Sequence, residues 1–359
     1  MKLLVCSCAA LLSAVPLLSA VPRADDITQR VKTFERYLDA LRVRARIPGL
    51  SAAIVHDGKI VWERGQGYQD VERRIAARPD TPYRIASLTK TFASTLLMQC
   101  VERNTLNLDA LMRSYTSAIP EPGATVQHVL THTSEGTPGA QYRYNGSRYA
   151  ALAAVVDACS GKPFRVALAD SILEPLAMRD SVPGQDLESP GASAAALFDV
   201  ARVERYRAVL ARIAVPYLLD SRNRMAPTAY PPKDINAAAG LVSTVRDLAR
   251  FDAAIDDNVL LRADTLALTW TPVRSSSSGA ILPHALGWFT QEVDRRRIIW
   301  HYGYWPQFSA LYVKVPDQRL TLILLANSGG LSSYFPIGDG DVTASPFANA
   351  FLRIVVQSE

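Results

Sequence analysis

The chain has 359 residues, 48% hydrophobic and 20% charged, with 39 basic against 34 acidic residues and a formal charge of +5. That is the make-up of a globular protein large enough to bury a substantial core without staples, as two domains or as one domain with an insertion. The two signs are interspersed, and there is no zinc-finger spacing, phosphate-binding Gly-rich loop or basic stripe with interleaved aromatics, so nucleic acid is excluded as a partner.

Lys2 is followed by an almost unbroken apolar run from Leu3 to Val21, then by Pro22-Arg23-Ala24-Asp25-Asp26. A charged start, an apolar centre and small residues before a polar stretch predict a signal peptide over 1–24, cut after Ala20 or Ala24, and a periplasmic or secreted protein. An uncleaved anchor is the rival, and it is the only route by which the chain would touch a membrane. Cys6 and Cys8 lie inside this segment. Cys100 and Cys159 sit in apolar helical surroundings, either as a disulfide that export permits or as two buried thiols.

Ile27, Val31, Phe34, Leu38 and Leu41 fall on one helical face. Leu50–His56 and Lys59–Glu63 flank Asp57-Gly58, a strong hairpin signal. After a polar loop closed by Pro79 and Pro82, Ser87 opens an apolar helix to about Val101. Helices and loops then dominate to Asp234, the clearest helices being Tyr149–Cys159 and Val203–Ile213. Another helix over about Val245–Ile255 leads to strands at Gly287–Val293, Ile298–Tyr302, Ser309–Val315 and Leu320–Ala326, with a turn at Pro316-Asp317-Gln318. Arg295-Arg296-Arg297 reads as a solvated hairpin tip, and Phe347–Val356 as a closing helix. Strands at both ends around a helical middle predict one sheet built from the two ends of the chain, with helices inserted.

Ser87 and Lys90 are three apart, so on a helix they share a face and the amine can reach the hydroxyl. A serine hydroxyl needs a base to become a nucleophile, and a lysine serves only when burial makes it neutral. The apolar followers Phe92, Leu96 and Leu97 supply that burial. The plainer alternative is a serine helix cap beside a solvated lysine.

The segment Thr81–Lys90, ending Ser87-Leu88-Thr89-Lys90, resembles the nucleophile segment of the serine β-lactamase and penicillin-binding-protein superfamily, in the branch with class C β-lactamases, family VIII esterases and D-Ala-D-Ala carboxypeptidases. Val126–Ser134, Ala239–Thr244 with Asp247-Leu248, Leu286-Gly287-Trp288 and the late strands ending at Asn327-Ser328 resemble further blocks of that family in the same order. The resemblance implies an α+β fold of the β-lactamase/transpeptidase type: a mostly antiparallel sheet flanked by helices, over 25–86 and 235–359, with a helical domain inserted over 87–234. It implies no cofactor and no metal, and a small-molecule or peptide substrate.

It also implies roles for residues. Ser87 would be the nucleophile, with Lys90 and Tyr144 moving its proton. Tyr144-Asn145-Gly146 stands where the family has Tyr-x-Asn, so Gly146 replaces the asparagine, and Asn145 is the amide that a backbone shift would bring to substrate. Tyr142 is the alternative tyrosine. His301-Tyr302-Gly303 matches the His-x-Gly form of the third motif. His301 would meet the substrate or the proton network, Gly303 would let substrate lie against the strand, and the backbone N–H groups of Ser87 and Tyr304 would hold the oxyanion. Trp305 is the aromatic expected at the site. His128 and His132, four apart with no acidic residue between them, are read as helix-stabilising rather than metal-binding. The expectation is an acyl-enzyme hydrolase of esters or peptides; the alternatives are a β-lactamase proper and a penicillin binder that does not turn over.

Overall fold

The computed structural model describes residues 24–356, apart from 190, 221, 223, 232 and 233. The leader expected over 1–24 lies outside the described residues except for Ala24, where the first helix begins. In chain order the elements are α1 (Ala24–Arg44), β1 (Gly49–His56), β2 (Lys59–Asp70), β3 (Ile75–Ala76), β4 (Tyr83–Arg84) and α2 (Thr89–Glu102). The middle of the chain forms α3 (Val126–Leu130), α4 (Gly146–Ala150), α5 (Leu152–Ser160), α6 (Phe164–Leu168), α7 (Val200–Leu210), β5 (Tyr217–Leu219) and β6 (Met225–Pro227). There follow β7 (Val242–Ser243), α8 (Val245–Asp256), α9 (Ala263–Thr269), β8 (Phe289–Val293), β9 (Arg296–Trp305), β10 (Phe308–Val315), β11 (Leu320–Ala326) and α10 (Pro346–Ile354).

Seven strands form one antiparallel sheet in the order β3-β2-β1-β11-β10-β9-β8, so the early hairpin and the late strands meet at the β1–β11 seam, in register Leu50↔Ala326 to His56↔Leu320. Every residue of β10 and β11 is buried, because both faces of the sheet are covered. On one face Leu50, Ala52 and Ile54 pack with Phe34 and Leu38 of α1 and Phe347 and Phe351 of α10. On the other, Ala53 and Val55 join one core that runs through α2, α5, α6 and α8. The helical region therefore shares its hydrophobic core with the sheet.

Two differences from the sequence expectation have local causes. The strand β2 continues seven residues past Glu63, because Gly65 and Gly67 let it lie against backbone: a Cβ at either would sit 2.0 Å from the carbonyl oxygen of Ala77 or Pro48. The β8–β9 turn is Asp294-Arg295, both left-handed (φ 50° and 61°), so Arg296 and Arg297 belong to the strand. The undecided cysteines are joined as Cys100–Cys159, with Cα atoms 6.0 Å apart, tying α2 to α5.

Beneath α8 the Lys314 amine, fully buried, lies 3.0 Å from Asp252 Oδ1 and 2.7 Å from Asp256 Oδ1, and Tyr312 and Thr321 also donate to Asp252. This polar knot pins α8 to β10 and β11. Removing the cation strands two buried carboxylates. Lys314→Met is expected to lower unfolding stability by about 3–5 kcal/mol in urea titrations.

Candidate active site

The segment leading to Ser87 is held before the helix begins. Tyr83 and Arg84 pair with Ser243 and Val242, Ala86 is forced to φ +46°, and Ala86–Leu88 form a 3₁₀ turn whose last residue leads into α2. A non-glycine residue in the left-handed region costs on the order of 1–3 kcal/mol, so the surrounding structure imposes this bend. It leaves Ser87 half-buried at the surface while Leu88, Thr89 and Lys90 turn inward. The helix therefore starts at Thr89, two residues later than the apolar pattern alone suggests.

Lys90 is 0% exposed. Its amine reaches the Ser87 hydroxyl at 2.8 Å and the Ala238 carbonyl at 3.2 Å, and lies 5.0 and 5.2 Å from the ring centres of Tyr144 and Tyr149. Among the described residues no carboxylate accepts from it; burial lowers its pKa from the ordinary lysine value to about 7. A half-exposed hydroxyl thus sits against an amine that is substantially neutral at pH 7. Ser N-cap geometry with a solvated lysine is not what the chain forms.

Tyr144 comes to the same place from the stretch before α4. Its ring stacks on His132 at 4.4 Å and packs near Tyr302 and Phe289 at 5.9 and 6.2 Å. Its hydroxyl is buried without a formed hydrogen bond. Burial, then Tyr302, hold its pKa well above the ordinary phenol value, and the Ser87 hydroxyl pulls it the other way. Tyr142, the alternative tyrosine, is turned elsewhere and donates to the Gly338 carbonyl at 2.9 Å. Gly146 lies next to Lys90, since a Cβ there would be 3.9 Å from the amine. The space that an asparagine side chain would occupy is therefore at the site and vacant of side chain.

Two residues expected to meet substrate have partners within the fold. Asn145 has both ends of its amide engaged: Oδ1 accepts from Arg148 N at 3.1 Å as the cap of α4, and Nδ2 donates to Glu135 at 2.6 Å. His301 is fully buried, with Nδ1 2.7 Å from the Tyr302 carbonyl, and packs among His284 and Phe289. Strand β9 presses so closely on the turn before Ser87 that a Cβ at 303 would lie 2.0 Å from the Ile85 carbonyl. Tyr304 and Trp305, 39% and 46% exposed, follow where β9 turns into β10, opposite Ser309 and Phe308.

Sequence reasoning missed three contributors. His132, read as a helix stabiliser, sits past the end of α3 at φ +55° and forms a wall of the site, whereas His128 does complete a capping box with Thr125. His284 carries no motif, and no local signal marks it. The Ala238 carbonyl is a backbone atom without a side-chain signature. Among the described residues, no three His, Cys, Asp or Glu are grouped to hold a metal ion.

This fold, with a Ser-x-x-Lys pair at the start of a buried helix beside an antiparallel sheet, is that of the penicillin-binding proteins and class C β-lactamases. The chain belongs to the Beta-lactamase family, whose model matches residues 32–340. It is 22% identical over 315 residues to penicillin-binding protein 4* of Bacillus subtilis, covering 75% of this chain and 66% of that protein. It is 23% identical over 339 residues to protein flp of Staphylococcus aureus, covering 82% and 62%. The chain thus spans less than two thirds of the length of these curated relatives. The octameric penicillin-binding protein homologue of Pyrococcus abyssi has a similar structure (TM-score 0.70, 23% identity, 84% of this chain and 74% of that one). So does a class C β-lactamase from Rhodobacter sphaeroides (TM-score 0.64, 18% identity, 83% and 94%).

The lowered lysine pKa sets a pH dependence. Below about pH 7 the amine is protonated and cannot take the Ser87 proton, so reactivity falls about tenfold per pH unit, and above it reactivity levels off. Labelling of Ser87 by a fluorophosphonate probe is expected to follow this curve and to vanish in Lys90→Met. Gly303→Ala must push β9 off the Ile85 carbonyl, and should slow labelling by about 100-fold or more at unchanged pH dependence.

Proposed function

We propose that the protein is an exported serine hydrolase that acts through an acyl-enzyme on an ester or amide bond, with small neutral esters as its preferred substrates. The observation that carries this reading is the fully buried Lys90 amine, 2.8 Å from a half-exposed Ser87 hydroxyl and with its pKa brought to about 7. Ser87 Oγ attacks the carbonyl carbon while its proton passes to the Lys90 and Tyr144 pair. The backbone N–H groups of Ser87 and Tyr304 hold the oxyanion, such donors contributing about 3 kcal/mol each. The proton then goes to the departing alcohol or amine, and water repeats the sequence to release the acid.

Two features favour esters over β-lactams and over peptides with a free carboxylate. Gly146 offers no side-chain amide beside Lys90, and His301 is fully buried, so neither supplies a grip on a substrate amide or carboxylate. Export draws support from the Cys100–Cys159 disulfide, a bond that persists in oxidising compartments, together with the apolar leader sequence. The same Gly146 favours a second reading, a penicillin-binding sensor that acylates and stays acylated, because an amide is lost from the proton network needed for deacylation.

A panel of p-nitrophenyl butyrate, a cephalosporin and a D-Ala-D-Ala peptide decides between them. The ester should turn over at least tenfold faster than the others, and Ser87→Ala should abolish it. A stable adduct on Ser87 by mass spectrometry without steady-state product would select the sensor. Faster cephalosporin turnover would make it a β-lactamase.

A further inference from the structure

Four polar atoms behind the site are buried without a hydrogen-bond partner: Nε2 of His132, His284 and His301, and the Tyr144 hydroxyl. They belong to one cluster. The His132 ring lies 4.4 Å from Tyr144 and 4.8 Å from His284, and His284 lies 5.9 Å from His301, centre to centre. Four segments supply them: the end of α3, the stretch before α4, the loop before β8, and β9. Buried polar atoms are nearly always satisfied, so four orphans in one place need a common account.

The partner of each Nδ1 assigns the tautomers. His284 Nδ1 is 2.8 Å from the Ala285 carbonyl, with the Leu130 carbonyl also acting on that ring, and His301 Nδ1 is 2.7 Å from the Tyr302 carbonyl, so both are assigned the proton on Nδ1 and a bare Nε2. His132 Nδ1 accepts from Asn145 N at 3.2 Å, so its proton is on Nε2. The orphans are thus two donors, His132 Nε2–H and the Tyr144 hydroxyl, and two acceptors, His284 and His301 Nε2. They are complementary in number. All three rings are neutral: burial first, and the neighbouring imidazole and Lys90 charges next, hold His132 and His301 well below the usual histidine range, while burial pushes His284 down to about 3. Neutral rings of this kind accept a hydrogen bond from a phenol without taking its proton.

We propose that His284 is the central member of an imidazole array, His132–His284–His301, that positions Tyr144 for proton transfer at Ser87. The bare ring nitrogens take up the phenol's hydrogen bond through one bridging water, and leave a lone pair of its oxygen turned toward Ser87. Four polar partners are enough to hold such a water. The array rests on the proposed serine-hydrolase reading and deepens it: His284 touches no substrate and acts through Tyr144.

The test is steady-state hydrolysis of p-nitrophenyl butyrate by the full chain and by Ser87→Ala, His284→Leu, His284→Gln and His284→Asn. The Gln amide reaches the Nε2 position, whereas Asn retains only a group at the Nδ1 position that bonds the Ala285 carbonyl. The expected result is a kcat at least about tenfold lower in His284→Leu and in His284→Asn, with KM within about twofold, and recovery of most of that loss in His284→Gln. Wild-type kcat in His284→Leu, or recovery by Asn but not Gln, would overturn the array and leave His284 a loop anchor. Should the Leu variant not fold, the Asn and Gln pair decides alone. Turnover that survives Ser87→Ala would instead remove the hydrolase reading itself, so the two failures are told apart.

Discussion

Everything around Ser87 follows from the burial of one amine. Lys90 has no carboxylate partner among the described residues, and holding it at a pKa of about 7 instead of 10.5 disfavours folding by roughly 5 kcal/mol below pH 7. The sign follows from a base whose pKa falls on folding. The unfolded chain binds the extra proton between pH 7 and 10.5, so the penalty is complete below about 7 and fades as pH rises toward 10.5. That cost is borne by the surrounding packing. Helix α2 is buried on nearly every side, the Ala238 carbonyl and two phenol rings line the amine, and a disulfide ties the helix to α5.

The same low-polarity surroundings explain the tyrosine and the histidines. A phenol and three imidazoles enclosed with Lys90 all shift toward their neutral forms: the tyrosine's pKa rises and those of the histidines fall. The site is a set of groups that burial shifts toward their neutral forms. Elsewhere the chain uses the opposite arrangement. Lys314 is equally buried but stands between two carboxylates, and it serves to hold α8 to the sheet. Two buried lysines, one unpaired and one doubly paired, separate chemistry from architecture in the same molecule.

Membership of the Beta-lactamase family sets the frame, and the departures from its motifs carry what is particular to this chain. Gly146 leaves the flank of Lys90 without a side chain, and His301 turns inward to a ring cluster. The end of β9 carries the exposed aromatic pair Tyr304 and Trp305.

Much of this was determined by sequence alone, wherever the signal is local. The Asp57-Gly58 hairpin, the stripe of α1, the late strands and the Ser87–Lys90 spacing depend on residues a few positions apart, and backbone geometry acts over that range. Only the tertiary structure decided between Tyr144 and Tyr142, paired Cys100 with Cys159, tied up Asn145 as a helix cap and drew His301 inward. It also brought His132 and His284, some 150 positions apart, into ring contact. Those outcomes depend on which surfaces are dry and which atoms find partners once distant segments pack. Burial and hydrogen-bond satisfaction are properties of the assembled fold, and no stretch of the chain carries them by itself.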